Sequence, residues 1–214
     1  APPPSPPSIR NALLTLRDAI TAASWSAAGI QGWSSGSDPC TAASTWTGVT
    51  CSSYNASSSS SSYNTSSSSY DATASAATGV TVAVNLAYFG LSGSLNPLLS
   101  FATTLSSLSL AGNALTGSLP STWSALTGLT SLDLSANDLT GTLPSAWSTL
   151  TNLKSVNLMN NGFSSTIPAS WGLSLGVAGL NHLILSNNSA LCGTVPTALA
   201  SKVTATTGST GLGV

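Results

Sequence analysis

Leu105-Ser-Ser-Leu-Ser-Leu-Ala-Gly-Asn-Ala-Leu-Thr-Gly-Ser-Leu-Pro120 is followed, twenty-four residues on, by Leu129-Thr-Ser-Leu-Asp-Leu-Ser-Ala-Asn-Asp-Leu-Thr-Gly-Thr-Leu-Pro144. A third copy starts at Leu153 and keeps Val156, Leu158, Asn161, Phe163 and Ile167-Pro168. A fourth starts twenty-seven residues later at Leu180, with Leu183, Leu185, Asn188, Leu191, Gly193 and Val195-Pro196, and carries one extra residue between its Asn and its Gly. Backwards from the first, Val84, Leu86, Phe89, Leu91, Gly93 and Leu95 fit a degenerate leading copy. Each Leu-x-Leu alternation reads as a short strand with its apolar side inward. Stacked copies then form a parallel sheet advancing about 4.8 Å per strand. Asn113, Asn137, Asn161 and Asn188 are expected to turn inward and satisfy backbone groups in the bend. Gly and Pro set the turn beyond it. No single copy can bury its own apolar face, so at least about three must stack.

The pattern Leu-x-x-Leu-x-Leu-x-x-Asn-x-Leu-x-Gly-x-(Leu/Ile/Val)-Pro resembles the plant-specific class of leucine-rich repeats over residues 80–199. The resemblance implies an α/β fold, a right-handed solenoid of about five repeats. A parallel sheet would line its concave face and turns or 3-10 segments its convex face, with a helical cap before the repeats. It also implies a second short strand at Leu-Thr-Gly-Ser-Leu-Pro. Ile9, Leu13, Leu16 and Ile20 fall on one helical face after Ser8, a plausible N-cap. Asp38-Pro39-Cys40 and Trp46-Thr-Gly-Val-Thr-Cys51 resemble the N-terminal cap of that family, in which the two cysteines are bridged; this implies a Cys40–Cys51 disulfide and an oxidising compartment. The chain divides into a Pro/Ser-rich polyproline segment (1–8), the cap (9–51), a Ser-rich glycosylated insertion (52–79), the solenoid (80–203) and a flexible tail (204–214).

Only 4% of the residues are charged, there is no Glu, and the net charge is -1. Nothing is present to neutralise phosphates or dock on anionic lipid, so neither nucleic acid nor a membrane is an expected partner. No apolar run reaches the ~18 residues of a membrane span. A start at Ala1 without Met or an apolar leader is what a processed, secreted chain would show. Sugar can replace charge as the solubilising coat. Asn55, Asn64 and Asn187 begin Asn-x-Ser/Thr sequons, two of them inside the Ser-rich tract. Pro2, Pro3, Pro4, Ser5, Pro6 and Pro7 should be polyproline II. That run is similar to the hydroxyproline-rich glycoproteins of plants and green algae, which implies hydroxylation and O-glycosylation.

Chemistry finds little to work with. His182 is the only histidine, at an outward strand position, with no second ligand at metal spacing. No Gly-x-Ser-x-Gly elbow exists, and Asp133 and Asp138 are the only acids in the repeats. The reading is a non-enzyme with no cofactor. Trp123, Trp147 and Trp171 recur after each Pro, where the family has an inward Leu, so they read as convex-side core rather than a sugar platform. The outward strand positions are small and neutral: Ser107, Ser109, Ser131, Asp133, Ser155, Asn157 and His182 form the candidate interaction face. Beside them, Ser92, Thr116, Thr140, Ser164 and Ser94, Ser118, Thr142, Thr166, Thr194 form two hydroxyl ladders.

Cys192 is left as an unpaired thiol. The resemblance implies a bridge from it to a C-terminal cap, but no later cysteine exists and the Thr/Gly-rich tail reads as unable to cap a solenoid. The chain is then part of something longer, or its apolar end is covered by another molecule. Together these features favour a structural extracellular glycoprotein that self-associates into wall, matrix or fibril. The alternative is a recognition module, a receptor ectodomain or wall-enzyme inhibitor, that binds another extracellular protein, peptide or glycan. A lesser one is ice binding through the hydroxyl ladders.

Overall fold

The structure is a computed structural model and describes residues 9–20, 22–33, 46–51, 81–204 and 211–213. Helix α1 (Ile9–Ala19) places Leu13 and Leu16 entirely out of solvent, with Ile20 just beyond it at 3% exposure. Those positions lie three or four apart, so one stripe of the helix faces the core. Helix α2 (Ala22–Ala27) follows. Trp33 then joins Trp25 edge-on at 5.1 Å and Trp46 at 4.9 Å, and its indole N–H donates to the Thr47 carbonyl at 2.9 Å. Arg17 Nη1 donates to the Trp33 carbonyl at 2.7 Å, tying the helix to this aromatic knot.

Strand β1 (Val49–Cys51) pairs antiparallel with β2 (Val82–Asn85) and opens the solenoid. Two strands then recur in each repeat. The first set is β2, β4 (Leu105–Ser109), β6 (Ser131–Asp133), β8 (Ser155–Asn157), β10 (His182–Ile184) and β12 (Val203–Thr204), parallel throughout, which with β1 makes a seven-stranded sheet. The second set is β3 (Ser92–Ser94), β5 (Ala114–Ser118), β7 (Asp138–Thr142), β9 (Gly162–Ser165), β11 (Ala190–Thr194) and β13 (Gly211–Gly213), a six-stranded sheet on the neighbouring flank. The convex side is closed by 3-10 turns at Pro97–Phe101, Ser121–Ala125 and Ser145–Thr149. The third copy, which runs twenty-seven residues before the next begins, uses its additional residues for a true helix there, α3 (Ala169–Ala178), stopped by Gly179 at φ 100°. A helix that ends on a left-handed residue needs the freedom glycine has.

The core is a stack of leucines. Leu108, Leu110, Leu134, Leu158, Leu183 and Leu185 have no exposed surface. Asn113, Asn137, Asn161 and Asn188 do turn inward. Asn137 Oδ1 accepts from Leu115 N (3.0 Å), while its Nδ2 donates to the carbonyls of Leu110 (3.0 Å) and Leu134 (3.1 Å). The same three-way bond repeats at the other asparagines, so each side chain joins its own bend to that of the copy before it. In a medium of low dielectric such paired amides hold strongly and orphaned ones cost much.

Trp123, Trp147 and Trp171 are buried and nearly parallel, with centroids 6.3 and 6.1 Å apart. Each indole N–H donates one copy back, to the carbonyls of Asn96, Pro120 and Pro144. The ladder is convex-side core, as its family position implied. Hydroxyls bind copies together elsewhere: Ser106 donates to Val82, Thr130 to Ser106, and Thr149 to Ser124 carbonyls. Ser and Thr thus do between repeats what ion pairs do in more charged proteins.

The tail departs from expectation. Thr204 belongs to β12, beside Ile184, and Gly211–Gly213 lies beside Cys192–Thr194. Leu212 is 6% exposed and part of the core. Gly-Leu-Gly supplies one inward side chain between two small residues, so the flank sheet gains β13 as the concave sheet gains β12. The tail is therefore not wholly a flexible segment, and it does extend the stack. Residues 205–210 and 214 lie outside the described residues, as do 1–8, 21, 34–45 and 52–80, which include the whole insertion at 52–79.

Candidate functional site

The concave sheet brings the outward residues into straight columns. Ala83, Ser107, Ser131, Ser155 and His182 are successive register partners, and so are Asn85, Ser109, Asp133, Asn157 and Ile184. Most are half-buried by their neighbours across the sheet; Asn85 and His182 are exposed. The face is flat because no side chain in the first column before His182 is larger than Ser.

Three members of the second column are already engaged. Asp133 Oδ1 accepts from Ser135 N at 3.0 Å and from Ser135 Oγ at 2.6 Å. Asn85 Oδ1 accepts from Ala87 N and Asn157 Oδ1 from Met159 N, at 3.1 and 3.2 Å. Each is a short polar side chain folding over the backbone two residues on, which turns the chain out of its strand. Their first role is to shape the bend; what they present to a partner is the remainder of the group.

That bend has a further feature. Tyr88, Gly112, Ala136, Asn160 and Asn187 occupy it in successive copies, all at positive φ between 54° and 65°. Asn187 is exposed, and its Nδ2 donates to Asn160 Oδ1 at 2.5 Å. Tyr88 is 79% exposed. Sequence reasoning missed Tyr88 because it weighed inward Leu positions and outward strand positions, and this residue is neither. The available signal was its column, which is otherwise Gly, Ala and Asn.

The flank sheet carries the hydroxyl ladders, but not as two straight columns. Ser94 faces Thr116, Ser118 faces Thr140, and Thr142 faces Ser164, so each rung joins one ladder to the other. Between this sheet and the convex turns runs an open groove of about 680 Å³, lined by Pro97, Ser118, Pro120, Thr142, Pro144 and Thr166 and by no charged side chain.

Among the described residues, no three His, Cys, Asp or Glu side chains stand together as a metal site would require. No helix among them is long and apolar enough to cross a membrane. Cys51 is disulfide-bonded and Cys192 is an exposed free thiol. Cys40, Asn55, Asn64 and Pro2 to Pro7 lie outside the described residues.

Family models match in two places: a leucine rich repeat N-terminal domain over residues 10–52 and leucine rich repeats over 103–163. The chain is a plant-type leucine-rich-repeat protein with an N-terminal cap. Its fold is similar to the BIR2 ectodomain from Arabidopsis thaliana, at 23% identity over 96% of this chain and 92% of that one, with a TM-score of 0.67. It is also similar to a chain in the BIR3–SERK2 complex of the same plant, at 27% identity over 94% and 92%, with a TM-score of 0.65. The receptor kinase HAESA of Arabidopsis, solved with the peptide hormone IDA and the co-receptor SERK1, matches at 29% identity and a TM-score of 0.66. There this repeat protein covers 96% of its own length and 30% of the receptor's. No curated protein sequence matches the chain.

Proposed function

We propose that this repeat protein is an extracellular, non-catalytic recognition module that binds another protein or a peptide on its concave sheet. The carrying observation is the unbroken register of that sheet, which aligns Ser107, Ser131 and Ser155 into a flat docking strip. Support comes from the similar structures, two of which are complexes with a protein or a peptide hormone. A flat, uncharged strip gains its affinity from shape and excluded water. In this reading Asn55, Asn64 and Asn187 carry N-glycans, Pro2 to Pro7 carry O-glycans, and Cys40 closes the bridge to Cys51. The glycans are a coat around the strip.

The test uses the glycosylated chain against a panel of purified leucine-rich-repeat ectodomains, SERK2 among them, by biolayer interferometry. Saturable binding that falls at least about tenfold in the Ser107→Lys/Ser131→Lys/Ser155→Lys variant is the expected result. Binding untouched by those lysines removes the concave strip from the reading.

A second reading is self-association into a wall or matrix assembly, favoured by a composition with only 4% charged residues. Light scattering separates the two. Large regular assemblies with no binding to the panel would put self-association first; a monodisperse monomer would dismiss it.

A further inference from the structure

We propose that Tyr88 is a stacking platform for the ring of a neutral saccharide, at the rim where the concave sheet bends toward the flank sheet. This goes beyond the recognition reading and uses a different surface.

Tyr88 stands just past β2, and its N–H donates to the Ala111 carbonyl at 2.8 Å. The same bond recurs from Gly112 to Ser135, from Ala136 to Met159 and from Asn160 to Ser186. The left-handed backbone is therefore imposed by the repeat at every copy. A bulky side chain is a poor choice for it, and Gly or Asn a good one. Tyrosine at this position is not explained by packing, because 79% of it is in solvent and its ring stacks on no other aromatic among the described residues.

The ring nonetheless has a fixed seat. A Cβ on Gly112 would collide with Tyr88 Cδ1 and Cε1, with Cγ only 3.0 Å away. The ring thus lies over the bare glycine of the next copy, one face on backbone and the other open. An aromatic held in this way loses little conformational freedom on binding.

Its surroundings select the ligand. Ala87 precedes the ring, Ala111 and Gly112 occupy the bend of the next copy and Ala136 that of the copy after, so the residues along this bend are small, with Ser109 at the end of β4 and Ser135 just past β6. The acid on this part of the sheet, Asp133, has its Oδ1 held by Ser135. The bends at 85–90, 109–113 and 133–137 hold no Lys, Arg or His, so an anionic ligand has no counter-charge in them. A pyranose has an apolar face of C–H bonds and a rim of hydroxyls, which matches one open aromatic face bordered by hydroxyl and amide groups. The tryptophan ladder, whose spacing looks more like a sugar track, is buried and cannot serve.

The experiment is calorimetry and NMR titration of the full chain with cellohexaose, xylohexaose and mannohexaose, repeated on Tyr88→Gly and Tyr88→Phe. At least one oligosaccharide is expected to bind the parent chain. Tyr88→Gly should weaken it at least about tenfold and Tyr88→Phe by no more than about twofold. Because glycine accepts positive φ, Tyr88→Gly should melt no lower than the parent, so its loss of binding cannot come from misfolding. Absence of binding by all three sugars, or equal binding by Tyr88→Gly, overturns the proposal. Protein binding on the concave strip is read separately: if Tyr88→Gly weakens ectodomain binding while no sugar binds, Tyr88 belongs to the protein interface instead.

Discussion

The two sheets run through the same repeats yet keep different registers. On the concave side, partners are twenty-four residues apart, as the repeats are: Ser107 faces Ser131, and Ser131 faces Ser155. On the flank, Thr116 faces Asp138 and Thr140 faces Gly162, a spacing of twenty-two. The flank strands slip by two residues at each step, about 7 Å along the strand for each ~4.8 Å across. A slip of one would turn every side chain over, but a slip of two leaves inside and outside unchanged. Leu115, Leu139 and Phe163 therefore stay fully buried, each later one opposite a glycine of the copy before it. The core is indifferent to this slip and the surface is not. Straight columns form on one face and diagonal rungs on the other.

The largest way to break the comparison is to cut the joint between the sheets. Asn137 bonds the flank strand at Leu115 and the concave bends at Leu110 and Leu134. Asn137→Ala strands these buried groups and should cost about 3 kcal/mol or more in a urea titration. A loss below about 1 kcal/mol would mean the two sheets hold together without it.

Next comes one substitution placed in both sheets. Gly141 has φ 84°, and a Cβ there would sit 3.2 Å from Ser118 Cβ. Gly141→Val should destabilise by about 2–3 kcal/mol through backbone strain and crowding. Ser131→Val, on the regular concave strand, should stay within about 0.5 kcal/mol. Equal effects in thermal melts would erase the distinction between a slipped and an unslipped sheet.

Smaller effects sharpen the account of the concave bend. Asp133→Ala removes the bonds to Ser135 and should cost about 1 kcal/mol. Asp133→Asn should be nearly silent, because Asn85 and Asn157 already make this bend with an amide oxygen. A full loss in the Asn variant would assign Asp133 a role for its charge. Smallest is Ala136→Gly, which relieves a left-handed alanine at φ 54° and should raise stability by about 0.5 kcal/mol after the added chain entropy of glycine.

Much of this was legible in the chain because the repeat states the same physical demand several times. Leu108, Leu132 and Val156 show the inward side, Asn113 and Asn137 the bend, and Trp123 and Trp147 the convex core. Where the demand was met once, or at another spacing, it was hidden. Strand β13 follows β11 at a shorter interval than the repeat, so Leu212 did not register as a core residue. The local hold of Ser135 on Asp133 made an interaction-face candidate partly a bend former, which a strand pattern does not express. Tyr88 broke a column whose existence depends on backbone dihedral angles.

The sequence alone determined the solenoid, its inward leucines, its asparagine spine and its poverty of charge, because burial and periodicity act along the chain and repeat. Tertiary structure decided the registers of the two sheets, the added strands at β12 and β13, and the seat of Tyr88 over Gly112. Each of those depends on how one copy slides and turns against the next, and a slide of two residues leaves the inward pattern unchanged while moving everything that faces outward.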